Sequence, residues 1–272
     1  MTTAPLQDEN GYFKIAAMDH RGSLQKMIPE QYISTFKTLL SETYAPYSTA
    51  ILVDPGYGAG AIEKAREANL GILLSREESG YMDSTVGRVT TLSSHTSQHL
   101  KHMGADAIKL LLYYNSDAAN AETQLDIART VFEEAHMQDL PLLIEPITYE
   151  VEGVTYHKGD AIIKAIKDLR DFADVLKLEF PINVDEQEMD EAIPYLKAMT
   201  DESKKPWVLL SRGMEFDKYK EAVQIAKDAG CMGYAVGRAV WQEAKEKESW
   251  EDIVNFIKIA TTKRMKQLSE VF

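Results

Sequence analysis

Short apolar runs of strand length recur along the whole chain. They are Tyr12–Asp19, Thr49–Pro55, Gly71–Arg76, Ala105–Tyr114, Pro141–Ile147, Ala173–Pro181, Trp207–Ser211 and Gly233–Arg238. Between them the period becomes helical. Ala121, Leu125, Ala128, Val131, Phe132 and Ala135 form one stripe within Ala118–Met137, and Tyr219, Ala222, Val223, Ala226 and Ala229 form another within Glu215–Ala229. Gly230 follows the second stripe where a helix-ending glycine belongs. Strands alternating with helices imply βαβ units and a parallel sheet. Eight of them predict a closed (β/α)8 barrel, which typically takes ~250 residues against the 272 here. An open doubly wound sheet would be expected to carry a Gly-x-Gly-x-x-Gly turn after its first strand, and the sequence has none there. No linker rich in Pro, Gly or Ser divides the chain, so residues 1–272 read as a single domain. Trp250–Leu268, with Ile253, Phe256, Ile257 and Ala260, predicts an amphipathic closing helix. The charge run Glu243–Glu251 reads as a solvated face.

Composition narrows the function. Hydrophobic residues make up 44% and charged residues 27%, the balance of a globular protein. A formal net charge of −13 argues against nucleic-acid or anionic-membrane partners, which require a basic face. An anionic small molecule must then be drawn by a local cluster of cations. Cys231 is the only cysteine, which excludes an internal disulfide and a thiolate metal cage. Its apolar surroundings suit packing. Met1–Asp8 is polar and lacks the features of a signal peptide, and no apolar run approaches the ~20 residues that span a bilayer. The expected location is the cytoplasm, and the expected assembly is a homo-oligomer.

One position stands out within the strand pattern. Lys177 lies in the middle of Ala173-Asp174-Val175-Leu176-Lys177-Leu178-Glu179-Phe180-Pro181. Alternation puts Lys177 and Glu179 on the face of Val175, and Leu176, Leu178 and Phe180 on the other. A barrel strand has its outer face against helices, so Lys177 points inward. Burial of an ammonium favours the neutral amine, and a neutral amine attacks carbonyls to form Schiff bases. An ion pair with Glu179 or Asp174 is the plainer alternative. Other polar groups fall at comparable places: Asp19 after the first strand, Lys109 in the fourth and Glu145 in the fifth. Four such groups exceed what a structural core needs, because each buried charge must be compensated.

Chemistry in this fold sits at the C-terminal strand ends, and a phosphate site commonly lies after the seventh and eighth strands. There the chain carries Ser211, Gly213, Gly237 and Arg238. Glycine lets the backbone approach an anion, and arginine can grip it with two donors. This set fits cleavage of a phosphorylated ketose. Lys177 would attack the carbonyl and Lys109 would help keep it uncharged. Glu145 would move protons, and Asp19 would orient or deprotonate a substrate hydroxyl. No cofactor and no metal enters such a scheme, and a small sugar phosphate is the partner.

Several segments resemble one family as a set. They are Met18-Asp19-His20-Arg21-Gly22, Ala50–Asp54, Gly104–Leu111, Ile144-Glu145-Pro146, Asp174–Glu179, Leu210-Ser211 and Gly237-Arg238-Ala239. Together they resemble the tagatose-1,6-bisphosphate aldolase and sulfofructose-phosphate aldolase family, from about Asp19 to Trp241. The resemblance implies a barrel that releases dihydroxyacetone phosphate without a metal. It implies Lys177 as the Schiff-base residue, with Glu145, Lys109 and Asp19 assisting. It also implies that Ser211, Gly213, Gly237 and Arg238 hold the C1 phosphate. Arg21, Arg212 and His20 are the candidates for a second anion, sulfonate or phosphate, at C6. Ser79-Gly80-Tyr81 and Leu111–Tyr114 resemble the tagatose branch. The short segments around Lys177, and Pro206-Trp207-Val208 before Leu210-Ser211, resemble the sulfosugar branch and tip the expectation to 6-deoxy-6-sulfofructose 1-phosphate, with tagatose 1,6-bisphosphate as the alternative.

Two readings of other classes remain at this stage. His95, His99 and His102, spaced i, i+4 and i+7, could imitate a metal face. They precede the fourth strand on the expected outside of the barrel, which suits a solvated stripe. A non-catalytic sugar-phosphate sensor would use the same barrel, but it has no need of Lys177, Lys109 and Glu145 together.

Overall fold

A computed structural model describes residues 1–272. Its strands are β1 (Phe13–Ala17), β2 (Ala50–Val53), β3 (Gly71–Ser75), β4 (Met82–Ser84), β5 (Gly87–Val89), β6 (Ala107–Tyr113), β7 (Leu142–Ile147), β8 (Val175–Leu178), β9 (Trp207–Leu210) and β10 (Gly233–Val236). Eight of them close a parallel barrel in the order β1-β2-β3-β6-β7-β8-β9-β10, with β10 pairing back onto β1. These eight are the predicted ones. β4 and β5 form a separate antiparallel hairpin that the apolar pattern does not reveal. No helix is long and apolar enough to cross a membrane.

The apolar runs become barrel strands because both faces are buried. β2 and β3 are buried along their full length, so the side chains divide between two cores. One lies between sheet and helices and takes Leu176, Leu178 and Phe180. The other fills the lower barrel with Phe13, Ile15, Ala17, Ala50, Leu52, Leu73, Ala107, Leu143, Val175, Val208 and Ala235. Burying each large apolar side chain contributes ~1.5–3 kcal/mol. Leu6, from the turn Ala4–Leu6, joins the inner core from below. Gly71 permits that closure: a Cβ there would stand 2.2 Å from the Pro5 carbonyl oxygen. The barrel is therefore sealed at its N-terminal end.

The helical stripes form helices Ala121–His136 and Phe216–Asp228. The second begins at Glu215, whose side chain accepts from the N–H groups of Asp217 and Lys218. The closing helix is not continuous. A π-helical turn, Ile257–Thr261, separates Trp250–Phe256 from Thr262–Ser269.

A buried ion pair fixes the loop after β2. Lys37, from helix Ile33–Tyr44, pairs with Asp54 Oδ2, and both side chains are fully buried. Asp54 Oδ1 accepts from the N–H groups of Gly56 at 3.0 Å and Tyr57 at 2.9 Å. Removing one partner of such a pair strands the other charge. Asp54→Ala is expected to destabilise the fold by ~3–5 kcal/mol, measurable as a lower urea midpoint. An unchanged midpoint would mean that Lys37 finds water in the fold.

Candidate active site

Polar groups begin where the inner apolar layer ends. Two residues above Ala107 on β6 stands Lys109; Glu145 stands two above Leu143 on β7, and Lys177 two above Val175 on β8. The two-residue period turns all three inward. The chain beyond β1 supplies Asp19, and the chain beyond β3 supplies Glu77. Lys109 Nζ lies 2.7 Å from Asp19 Oδ2, 2.6 Å from Glu77 Oε1 and 3.0 Å from Glu145 Oε2. Lys177 Nζ lies 2.9 Å from the same Glu145 Oε2. One carboxylate oxygen thus bridges two ammonium groups. All five side chains line a cavity of about 540 Å³ that also takes in His20, Arg21, Lys26, Tyr113, Ser211, Arg212, Gly237 and Arg238.

Burial and charge act against each other in this cluster. Burial opposes ionisation of Asp19, but Lys109 and Lys177 overcome it and hold the carboxyl well below the usual range. Glu145 is likewise lowered, with burial outweighed by Lys109 and Lys177. Burial also opposes charge on Lys109, yet Asp19, Glu145 and Glu77 keep its ammonium well above the ordinary lysine value. Lys109 is therefore a fixed cation. Its charge is matched by three carboxylates, Asp19, Glu77 and Glu145. The carboxylate in contact with Lys177 is Glu145, at 2.9 Å.

The strand ends on the other side carry the residues expected to hold an anion. Ser211 follows β9, and its hydroxyl accepts the Gly237 N–H at 3.4 Å. A Cβ on Gly237 would meet His20 Cε1 at 2.7 Å and the Ala17 carbonyl oxygen at 3.0 Å, so only glycine lets the chain pass here. Arg238 Nε is buried without a protein partner. Gly213, with φ of +77°, stands behind Arg238, where a Cβ would lie 3.6 Å from the guanidinium carbon. It is not among the residues lining the cavity.

The three candidates for a second anion differ. Burial pushes the His20 pKa down to about 4, with Asp19 acting against it and Arg238 and Lys177 with it. At neutral pH the ring carries no charge; it packs edge-on against Trp241, with centroids 5.2 Å apart. Its Nδ1 is buried with no partner and can hydrogen-bond. Arg212 is in the left-handed region at φ of +44°. Its guanidinium pairs with Glu179, which also accepts from the Thr148 N–H at 2.9 Å. Arg21 donates to the Glu77 carbonyl oxygen at 2.6 Å and keeps Nε buried and unpartnered. His95, His99 and His102 lie outside the cavity lining, before β6. Glu77 was missed by the sequence reading, although it continues the inward row Leu73, Ser75, Glu77.

The DeoC/LacD family aldolase model matches residues 13–243, from the first barrel strand to beyond the last. The chain belongs to this family. It is an aldolase, a lyase, and the cavity just described is where the family's carbon–carbon cleavage has its candidate machinery. Among its relatives is tagatose 1,6-diphosphate aldolase 2 of Enterococcus faecalis, 34% identical over 270 residues, covering 87% of this chain and 81% of the relative. The tagatose 1,6-diphosphate aldolase of Lactococcus lactis is 33% identical over 276 residues, covering 89% and 84%. Among solved structures, an archaeal fructose-1,6-bisphosphate aldolase with its catalytic lysine bound to a carbinolamine superimposes with a TM-score of 0.71 at 15% identity, over 98% of this chain and 96% of that one. That likeness is one of fold.

The lowered carboxyls have a consequence for the acid stability of this aldolase. Asp19 and Glu145 titrate lower in the folded chain than in the unfolded one, so they stabilise the fold above the unfolded value of ~4. That contribution declines as pH falls below the unfolded value and is gone once pH passes the folded ones. Acidification from pH 7 to 3 should lower the melting temperature of the wild type more than that of Asp19→Asn. Parallel declines would show that Asp19 is not held ionised by its lysines.

Proposed function

We propose that the protein is a class I aldolase that cleaves tagatose 1,6-bisphosphate to dihydroxyacetone phosphate and glyceraldehyde 3-phosphate through a Schiff base on Lys177. The observation that carries this reading is the inward Lys177 Nζ, 2.9 Å from Glu145 Oε2 in a cavity that also holds an unpartnered arginine nitrogen. The names of the relatives support the substrate. They give no support to the sulfosugar toward which the sequence segments tipped, and the bisphosphate takes precedence.

In this scheme Ser211, Gly237 and Arg238 receive the C1 phosphate. Glu145 takes the proton from Lys177, whose amine adds to the C2 carbonyl. Glu145 returns the proton to the resulting hydroxyl, which leaves as water and creates the iminium. The C3–C4 bond then breaks. Its electron pair passes into the iminium to give an enamine, and the C4 hydroxyl proton passes to Glu145 as the aldehyde forms. Asp19, kept ionised by Lys109, orients that hydroxyl. Protonation at C3 and hydrolysis release dihydroxyacetone phosphate. Arg21, with the exposed Lys26 beside it on the cavity lining, is the proposed partner of the C6 phosphate. Arg212 is engaged by Glu179 and needs release before it can serve.

Borohydride added with dihydroxyacetone phosphate should inactivate the enzyme irreversibly and add the reduced adduct's mass to the Lys177 peptide, with or without a chelator. Label on another lysine would refute the assignment, and Lys177→Ala should abolish turnover. The substrate is tested separately. Tagatose 1,6-bisphosphate should give a higher kcat/KM than 6-deoxy-6-sulfofructose 1-phosphate, with fructose 1,6-bisphosphate as the stereochemical control. The reverse order would restore the sulfosugar.

A further inference from the structure

The cavity wall facing the phosphate cradle is built by β6 and by the chain after β3. In the closed order of strands, β6 stands four places from β10. The inward row of β6 runs Ala107, Lys109, Leu111, Tyr113. At ~3.3 Å per residue, the Tyr113 Cα lies about 13 Å above that of Lys109, near the rim. Its neighbour across the sheet is Ile147 of β7, which also lines the cavity.

Tyr113 is held firmly, yet its hydroxyl is free. The Tyr113 N–H donates to Thr90 Oγ1 at 3.0 Å, whereas the hydroxyl has no partner within the protein. Burial and the Glu145 carboxylate raise its pKa, so it keeps its proton. The ring packs against Tyr81, with centroids 4.4 Å apart. Arg88 in turn lies over Tyr81, 4.6 Å from its centroid, and over Tyr149 at 4.9 Å. Asn120 Nδ2 donates to the Arg88 carbonyl oxygen at 2.8 Å, which ties the β4–β5 hairpin to the barrel rim. A fixed ring presenting an unused hydroxyl to a polar cavity is suited to a polyol.

The path of the substrate gives the hydroxyl its target, resting on the Schiff-base reading above. With C1 at β9 and β10, C2 on Lys177 of β8 and Glu145 on β7, the remaining carbons continue around the wall to β6. We propose that Tyr113 is a specificity-determining residue whose hydroxyl hydrogen-bonds the hydroxyl-bearing carbons of the aldehyde half, and that the β4–β5 hairpin sets its ring through Tyr81 and Arg88.

Tyr113→Phe keeps the ring and removes the hydroxyl. Two reactions are measured: cleavage of the ketose phosphate that the wild type cleaves fastest, and exchange of the dihydroxyacetone phosphate C3 proton with tritiated water. Exchange uses Lys177 and Glu145 but no aldehyde half. The variant should lose about tenfold in kcat/KM for cleavage, as expected for one hydrogen bond, with exchange kept within about twofold. Tyr81→Leu should show the same selective loss. Equal loss of both reactions in Tyr113→Phe would place the tyrosine in the Schiff-base machinery, and unchanged cleavage would show that it touches no substrate. Unchanged cleavage in Tyr81→Leu would overturn the role given to the hairpin. A wild type that performs neither reaction would overturn the Schiff-base reading, and this inference with it.

Discussion

A single carboxylate oxygen, Glu145 Oε2, stands 2.9 Å from one ammonium and 3.0 Å from another, in a place that water barely reaches. The rest of the site depends on this contact. Two like charges drawn to one oxygen would repel each other if Lys109 were not also held by Asp19 and Glu77. Those two carboxylates fix Lys109 in position and in charge. Glu145, held ionised by the two lysines, is left as the one carboxylate in contact with Lys177. The two chemically identical lysines differ in the number of anions each one touches: three for Lys109 and one for Lys177.

The closed sheet makes this arrangement possible. β6, β7 and β8 are neighbours, and their registers pair Lys109 with Leu143 and Leu143 with Val175. Each of the three charged side chains stands two residues beyond an inner-core residue of its own strand: Ala107, Leu143 or Val175. Burying so many charges is costly, and the cost is borne because each ion has a partner within about 3 Å. The inner apolar core below and the helical shell outside supply the stability against which the site is built.

The sequence reveals much of this for a physical reason. A strand buried on both faces reads as an unbroken apolar run, so a charged residue inside one is conspicuous. Lys109, Glu145 and Lys177 are visible in that way, and the eight barrel strands are visible as their background. Glu77 is not, because Arg76-Glu77-Glu78 reads as a charged strand end, although the alternation from Leu73 continues through it. The hairpin is hidden because each of its strands has three residues, those of β4 exposed and those of β5 half-buried, too few to carry a period. The π turn escapes because it inserts into an apolar stripe without breaking it. His20 and Arg212 read as cations from residue type alone. Burial neutralises the first, and a partner distant in sequence, Glu179, occupies the second.

Leu6 and the layer above it fill the N-terminal end of the barrel, so the polar cavity opens at the other end. Everything that passes must share that opening. In the proposed Schiff-base scheme, once the covalent intermediate has split, the departing aldehyde stands between the remaining enamine and bulk solvent. The water that hydrolyses the imine must enter by the route the aldehyde vacates. In that scheme the order of release is dictated by traffic: the phosphorylated aldehyde leaves first, and only its exit admits the reagent that frees the other fragment.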